Sequence, residues 1–485
     1  MKVCQCLCFC LFYLMVGKLV SAQPGVALPD SIIYSTQMSV GDSVMPPPNN
    51  QLFTVRSIII SGNKKTHPDI IMRELPFEID EAYNLEVIPQ KFSKARKQLM
   101  NTGLFREVTV SLKSMEGYDV YVNVEVDEKW YLWPRPFARP VDKTFHEWWD
   151  DQERDMNRIN YGMRVLHNNF TGRNDKLKVN VMNGYTKQLS IQYYGLFLDN
   201  DLKWSVNGGV AIGKNREVNY MTERNRPVPI KDRDRYLRSY FNWFGEVSFR
   251  PAIKTRHTFG IGYSMENVAD TVFKLNPEFS SRKSFGYPEI FYRMTYFDVD
   301  FIPYPTKGFI GEILLRRKGL NDPLRMWQLQ AKGSKTWPLG TEMFFNASAV
   351  AMMKLPFKQP YVTNQFIGYD GQYLQGYEYY VIDGVAGAYT KATLTRELVN
   401  TRISINSKKI PRLNHIPFRI YAKTFVNAGY VYNDHEGINH FNNHLLYSGG
   451  VGLDIVVFTD FVIKLDWSFN RLGENGLYLH KRNYF

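Results

Sequence analysis

From Trp130 to the C-terminus, apolar and polar residues exchange places at every second position, segment after segment. Leu177, Val179 and Val181 alternate with Lys178 and Asn180. Phe259, Ile261 and Tyr263 alternate with Gly260 and Gly262, and Trp327, Leu329 and Ala331 with Gln328, Gln330 and Lys332. Phe461, Ile463, Leu465, Trp467 and Phe469 alternate with Val462, Lys464, Asp466 and Ser468. A period of two belongs to a strand. One row is apolar and aromatic, the other polar or Gly. That contrast suits a closed barrel with lipid outside and water inside, where every backbone group pairs within the wall. The pattern predicts about sixteen antiparallel strands: 130–141, 159–167, 176–185, 189–198, 202–213, 235–250, 256–266, 285–299, 308–318, 325–336, 342–354, 387–398, 417–432, 446–458, 461–470 and 476–485. The longer gaps at 214–233, 267–284, 355–386 and 399–416 are expected to be loops, and Thr459-Asp460 a short periplasmic turn.

Residues 52–128 show a different rhythm. Phe53 to Ile60 reads as a strand, with Val55, Ser57 and Ile59 on one face. Thr66 is placed to cap a helix running to Glu74, with Pro68 in its first turn. Phe92, Ala95 and Leu99 repeat at helical spacing within Ile88–Asn101, and Thr102-Gly103 stops that helix. Strands at Phe105–Leu112 and Tyr118–Val126 follow, the second carrying Val120, Val122, Val124 and Val126 on one face. The predicted order is β-α-α-β-β.

Residues 1–22 read as a secretory signal peptide: Lys2, an apolar core from Cys4 to Val16, and Val20-Ser21-Ala22 before Gln23. Residues 23–51 are polar and Pro-rich, a flexible leader. All four Cys lie within the first ten residues, so cleavage leaves none, which excludes thiol catalysis and a disulfide scaffold. The chain of 485 residues is 15% aromatic and carries a formal net charge of +13, but no dense Lys/Arg run marks a nucleic-acid footprint. No H-E-x-x-H, G-x-S-x-G or phosphate-binding Gly loop is present. His435, His440 and His444 lie near one another without carboxylate support and read as a solvated loop. Asp150-Asp151 sits in another polar stretch. Glu147-Trp148-Trp149 is expected at an interfacial aromatic belt. No enzyme activity, cofactor or metal is expected.

Two stretches carry a family resemblance. Val55–Thr66 (V-x-S-I-x-I-x-G-N-x-x-T) and Ala95–Val110 (A-x-x-x-L-x-x-T-G-L-F-x-x-V-x-V) look like a POTRA domain, with Gly103-Leu104-Phe105 the most specific part. Asn169-Phe170-Thr171-Gly172, Pro305-Thr306-Lys307-Gly308, Leu374-Gln375-Gly376-Tyr377 and Phe425-x-Asn427-x-Gly429 resemble turns, the sixth-loop tip and the thirteenth-strand pattern of the BamA/TamA superfamily of outer-membrane insertases and transporters. The chain ends in Phe485, as barrel proteins typically end in an aromatic residue. The resemblance spans about 53–485. It implies an all-β transmembrane barrel of about sixteen strands at 129–485, behind one periplasmic α+β POTRA domain at 52–128.

Two departures stand out. The family's loop-tip Arg is Gln375 here, and its wall Asp is Asn427. A Gln375–Asn427 amide pair, with Gly376, Tyr377 and Gly429 beside it, is therefore expected as a neutral, loose lock of the loop. The resemblance implies protein insertion or export at the outer membrane of a Gram-negative bacterium. Clients would dock on the strand edge bearing Phe105, Val108, Val110 and Leu112. They would leave through a lateral seam where Pro134, Pro136 and Pro140 of the first strand face Gly476–Phe485 of the last. Expected partners are unfolded outer-membrane or secreted proteins, periplasmic chaperones, accessory lipoproteins and outer-membrane lipid, with no nucleic acid. A dedicated two-partner-type exporter, or a passive porin or adhesin, are the alternatives.

Overall fold

The computed structural model describes residues 51–141, 153–280, 282–320, 324–369, 371–403, 416–434, 437–457 and 461–481. The predicted signal peptide, the leader up to residue 50, Glu147-Trp148-Trp149, Asp150-Asp151, His435, the Thr459-Asp460 turn and Phe485 lie outside the described residues.

The N-terminal domain comprises β1 (Leu52–Ser61), α1 (Pro68–Met72), β2 (Ala82–Asn84), α2 (Ile88–Asn101), β3 (Phe105–Glu116) and β4 (Asp119–Glu128). Its sheet runs β2-β1-β4-β3, with β1 and β4 parallel. The central strand is β4 because its four valines form an unbroken buried row. Phe92, Ala95 and Leu99 of α2 cover that row at helical spacing. The Thr102-Gly103-Leu104-Phe105 run has a mechanical sense. Thr102 Oγ1 donates to the Leu99 carbonyl at 2.6 Å, Gly103 turns at φ +75°, and Leu104 and Phe105 drop fully into the core. Each such side chain contributes roughly 1.5–3 kcal/mol by burial.

Three local expectations are corrected. The short strand β2 interrupts the predicted β-α-α-β-β order. In β1 a bulge between Val55 and Ser57 shifts the faces, so Ile58 and Ile60 pack on the core after it. Thr66 does not cap α1, whose N-cap is His67 without a side-chain bond; its hydroxyl is used at the domain junction.

The barrel is one antiparallel sheet of sixteen strands in consecutive order. In order they are Leu132–Pro140, Ile159–Asn168, Lys176–Gly184, Lys187–Phe197, Trp204–Asn215, Arg238–Ala252, Thr255–Val268, Ser284–Val299, Gly308–Lys318, Met326–Pro338, Met343–Leu355, Ala386–Ile403, Ile416–Tyr432, Leu446–Val457, Phe461–Asn470 and Asn475–Lys481. Each corresponds to one predicted segment. Three of the expected loops hold structure of their own: a hairpin (Glu217–Glu223 with Arg226–Lys231), a short helix (Asp270–Leu275) and, within 355–386, a 3-10 turn (Tyr361–Thr363) with an antiparallel pairing of Gln365–Ile367 and Ile382–Asp383. Phe259 and Ile261 are each 55% exposed on the outer face, while Gly260 between them leaves room for the Phe291 ring inside. Near the rim facing the N-terminal domain, Trp204, Phe249, His257 and Tyr292 form a row of stacked rings, an aromatic girdle.

Candidate functional site

The two domains are joined by buried polar contacts. Thr66 Oγ1 lies 3.0 Å from the Tyr131 hydroxyl and accepts from Asn169 Nδ2 at 2.9 Å. Asn169 and Gly172 belong to the Asn169–Gly172 turn after the second barrel strand, and His67 N–H donates to the Gly172 carbonyl at 2.9 Å. A Cβ on Gly172 would stand 2.4 Å from the Lys65 carbonyl, at a φ of +92°. Only Gly lets this turn meet the domain so closely. Beside it, Arg250 of the sixth strand grips Glu74 with two bonds of 2.5 and 2.8 Å, and Arg73 adds a third at 2.9 Å. Burial by itself raises the Glu74 carboxyl, but the two guanidiniums outweigh it and hold it below the usual carboxylate range. The turn at 300–307 completes the junction: Asn101 at the end of α2 accepts from Ile302 N–H and donates to the Val299 carbonyl.

The predicted docking residues lie on β3, an outer strand of the N-terminal sheet. Phe105 and Val108 are buried, Val110 is half-buried and Leu112 is exposed. Arg96 Nε of α2 reaches over and donates to the Val108 carbonyl at 3.1 Å. The backbone groups of Val108, and two residues on those of Val110, therefore lie on the rim side of the strand.

At the seam, backbone phase decides what the prolines do. Asn168 N–H donates to the Tyr131 carbonyl, and Val141 N–H donates to the Arg158 carbonyl, both at 2.9 Å. The register between these points is unbroken. Odd-numbered residues of the first strand therefore aim their backbone at the second strand, and even-numbered ones aim away. Pro134, Pro136 and Pro140 are all even. They take nothing from the ladder that exists and strip the opposite edge, leaving only Leu132 and Ala138 as donors along Leu132–Pro140. Among the described residues no ladder joins the first strand to the sixteenth. Gly476 is the second residue of the sixteenth strand, opposite Ser468 of the fifteenth.

The long loop after the eleventh strand folds back into the barrel. Leu374, Gln375 and Tyr377 are buried there. Gly376 sits at φ +89°, where a Cβ would lie 3.0 Å from that of Ser448. The Tyr377 hydroxyl donates to the Tyr447 carbonyl at 3.0 Å, and Asn470 Nδ2 donates to the Gly376 carbonyl at 2.9 Å. Gly429 keeps the thirteenth strand bare where Leu374 packs, 3.6 Å from the position of an added Cβ.

The expected Gln375–Asn427 pair does not form. Asn427 Nδ2 donates to Ser448 Oγ at 3.0 Å, and its Oδ1 has no hydrogen-bond partner among the described residues. Gln375 Nε2 donates instead to Asp466 Oδ2 on the fifteenth strand, at 2.7 Å. The physical reason is charge: an ionised acceptor binds an amide donor about twice as strongly as a neutral one. Lys423 of the thirteenth strand lies 2.6 Å from Asp466, and 2.6 Å from Asp454 of the fourteenth. All three side chains are at least 95% buried. The Tyr304 hydroxyl, carried on the turn that contacts Asn101, donates to Asp454 at 2.9 Å. A chain of contacts thus runs from the loop tip through Asp466, Lys423 and Asp454 to the turn beneath the N-terminal domain. Sequence reasoning missed Lys423, Asp454 and Tyr304. The available signal was a cation and two carboxylates on the polar rows of three adjacent strands.

Residues 53–129 match the family model described as POTRA, surface antigen variable number repeat. The chain is 30% identical over 77 residues to the outer membrane protein assembly factor BamA of Neorickettsia risticii (strain Illinois). That match covers 16% of this chain and spans about a tenth of the relative, 10% of its length. Among solved structures, BamA from Haemophilus ducreyi lacking POTRA domains 1-3 aligns with a TM-score of 0.48 and 14% identity, over 88% of this chain and 83% of that one. CdiB from Escherichia coli aligns with a TM-score of 0.44 and 10% identity, over 92% and 91%. With a POTRA domain at residues 53–129 and a sixteen-stranded antiparallel barrel behind it, the chain resembles the BamA/TamA superfamily in domain order and fold.

Proposed function

We propose that the protein works in the outer membrane as an assembly factor for other membrane proteins, with its POTRA domain in the periplasm. It receives unfolded clients on the β3 edge and passes them into lipid through the seam between the first and sixteenth strands. Neither ATP nor covalent chemistry takes part. The observation that carries this reading is the phase of the three prolines. They remove donors only from the seam edge, so that edge is poor at closing on itself while the strand remains paired to the second. An incoming client strand needs such an edge, since it brings its own donors. Periplasmic chaperones and accessory lipoproteins are the proposed helpers. The POTRA match to an assembly factor supports the same reading.

The test is a reversible lock. A Cys at Ala138 and a Cys at Leu477 or Leu479, oxidised in cells, should stop function, and reductant should restore it. Depletion of the protein should lower many barrel proteins together. Loss of a single secreted protein would instead mark a dedicated exporter, and normal function with the seam locked would reject lateral release.

A further inference from the structure

A chamber of about 2000 Å³ lies between the POTRA domain and the mouth of the barrel. The rim of β3 opens into it, with Glu107 to Val110 among its walls, so the proposed docking edge and the chamber are one space. Its electrostatics are one-sided: twelve Lys and Arg residues line it against five Asp and Glu. Most of the acids are already engaged. Glu74 is held by Arg73 and Arg250, Asp298 by Lys254 at 2.7 Å, and Glu312 by Lys332 at 3.8 Å. Asp300 accepts the backbone N–H groups of Thr306 and Lys307. Four of the cations have no acid in return. Lys94 and Lys97 share the outer face of α2 with Asn101, the residue that touches the barrel. Lys178 on the third strand and Arg256 on the seventh occupy the inward phase of their strands, since Val179, Phe259 and their neighbours face lipid. Among the described residues none of these four makes an ion pair. Arg96 meanwhile covers the Val108 carbonyl on the rim itself.

We infer that this chamber selects an extended client segment bearing acidic side chains at alternate positions. The inference rests on the docking reading above and adds the chemistry of the occupant. A strand laid along β3 takes its affinity from backbone bonds, which are indifferent to sequence. Its side chains fall alternately to two faces. Carboxylates on the face turned to the chamber meet Lys94 and Lys97 from the domain and Lys178 and Arg256 from the wall. Low-dielectric walls on both sides focus that field. A carboxylate drawing Arg96 away also frees the Val108 carbonyl for the incoming strand. A basic segment meets uncompensated like charge and is refused.

The experiment uses the full chain in lipid nanodiscs and three fluorescent twelve-residue peptides. All have Thr and Val at one set of alternate positions; the other set is Asp, Asn or Lys. By anisotropy at low salt, the Asp peptide should bind at least about ten-fold tighter than the Asn peptide, and the Lys peptide weakest. The gap should close at half-molar salt, where screening is short-ranged. The variant Lys94→Gln/Lys97→Gln/Lys178→Gln/Arg256→Gln should lose the preference yet keep the Asn peptide's affinity. Lys94→Glu/Lys97→Glu, altered only on an exposed helix face, should turn the preference toward the Lys peptide. Equal binding of the Asp and Asn peptides, both weakened by Val110→Pro, would overturn the charge selection while leaving the docking edge standing. A preference that survives in the quadruple variant would place the acid elsewhere and also overturn it. Failure of all three peptides to bind would remove the docking edge and the selection together.

Discussion

The wall formed by the thirteenth to fifteenth strands and the edge formed by the first strand belong to one sheet, yet they solve opposite problems. The wall buries Lys423, Asp454 and Asp466 with side-chain exposures of 5% or less and ties a loop from one end of the barrel and a turn from the other to them. The edge carries three prolines in the phase that removes its outward donors. Polar groups are concentrated and paired in the wall and subtracted along the edge. The two regions share the same hydrophobic alternation and differ in which polar groups are left partnered.

The largest effect expected from breaking this contrast is at Lys423. Lys423→Met leaves two carboxylates facing each other in a buried site, and the barrel should lose about 3–5 kcal/mol against unfolding in urea. Lys423→Arg, which keeps the charge, should lose less. Melting of the two variants on gels and by intrinsic fluorescence checks the order.

The junction comes next. Glu74→Gln leaves Arg73 and Arg250 close together without their acid. It should cost up to about 3 kcal/mol, the value of a charged hydrogen bond, and expose the Asn63–His67 segment to protease. The pH dependence has a definite sign. The folded carboxyl lies below its unfolded value of about 4.3, so its contribution is complete above that value. It is lost as pH falls through the lower folded value. Protease protection of the wild type should thus be flat from neutral pH to about 5 and fall only in stronger acid.

At the loop tip, Gln375→Ala should cost about 1.5 kcal/mol, the lower range for a hydrogen bond to a charged group. A double-mutant cycle with Asp466→Asn should be non-additive, whereas one with Asn427→Ala should add within about 0.3–0.5 kcal/mol. The reverse pattern would restore the amide pair that the sequence suggested. Gln375→Glu places a third carboxylate beside Asp466 and should expel the loop, read as cleavage by protease added outside.

The smallest effect is at the seam. Pro134→Thr and Pro136→Thr return one donor each to the outward edge, worth about 0.5–1.5 kcal/mol per bond formed. Cysteine cross-linking between the first and sixteenth strands should become more efficient, and insertion slower. No change in cross-linking would mean the phase of the prolines is irrelevant to closure.

Much of this was legible along the chain. A period of two with aromatic outer rows determined the sixteen strands, because a lipid-facing wall must alternate at every turn of the backbone. The helical spacing of Phe92, Ala95 and Leu99 and the valine row of β4 determined the core of the N-terminal domain. Local chemistry determined the stop at Thr102-Gly103. Partner choice was not legible. Thr66 has the sequence context of a helix cap, yet its hydroxyl is taken by Tyr131 and Asn169, residues 65 and 103 positions away. Gln375 matches a family loop tip, yet it binds the Asp466 carboxylate, which is paired with Lys423 on another strand. Alternation states only that a residue faces inward. Which inward residues touch depends on strand order, register and the path of a thirty-residue loop. Those are decided when the barrel closes and buried charges must find one another, so the tertiary structure alone selected Asp466 for Gln375 and turned the three prolines toward the open edge.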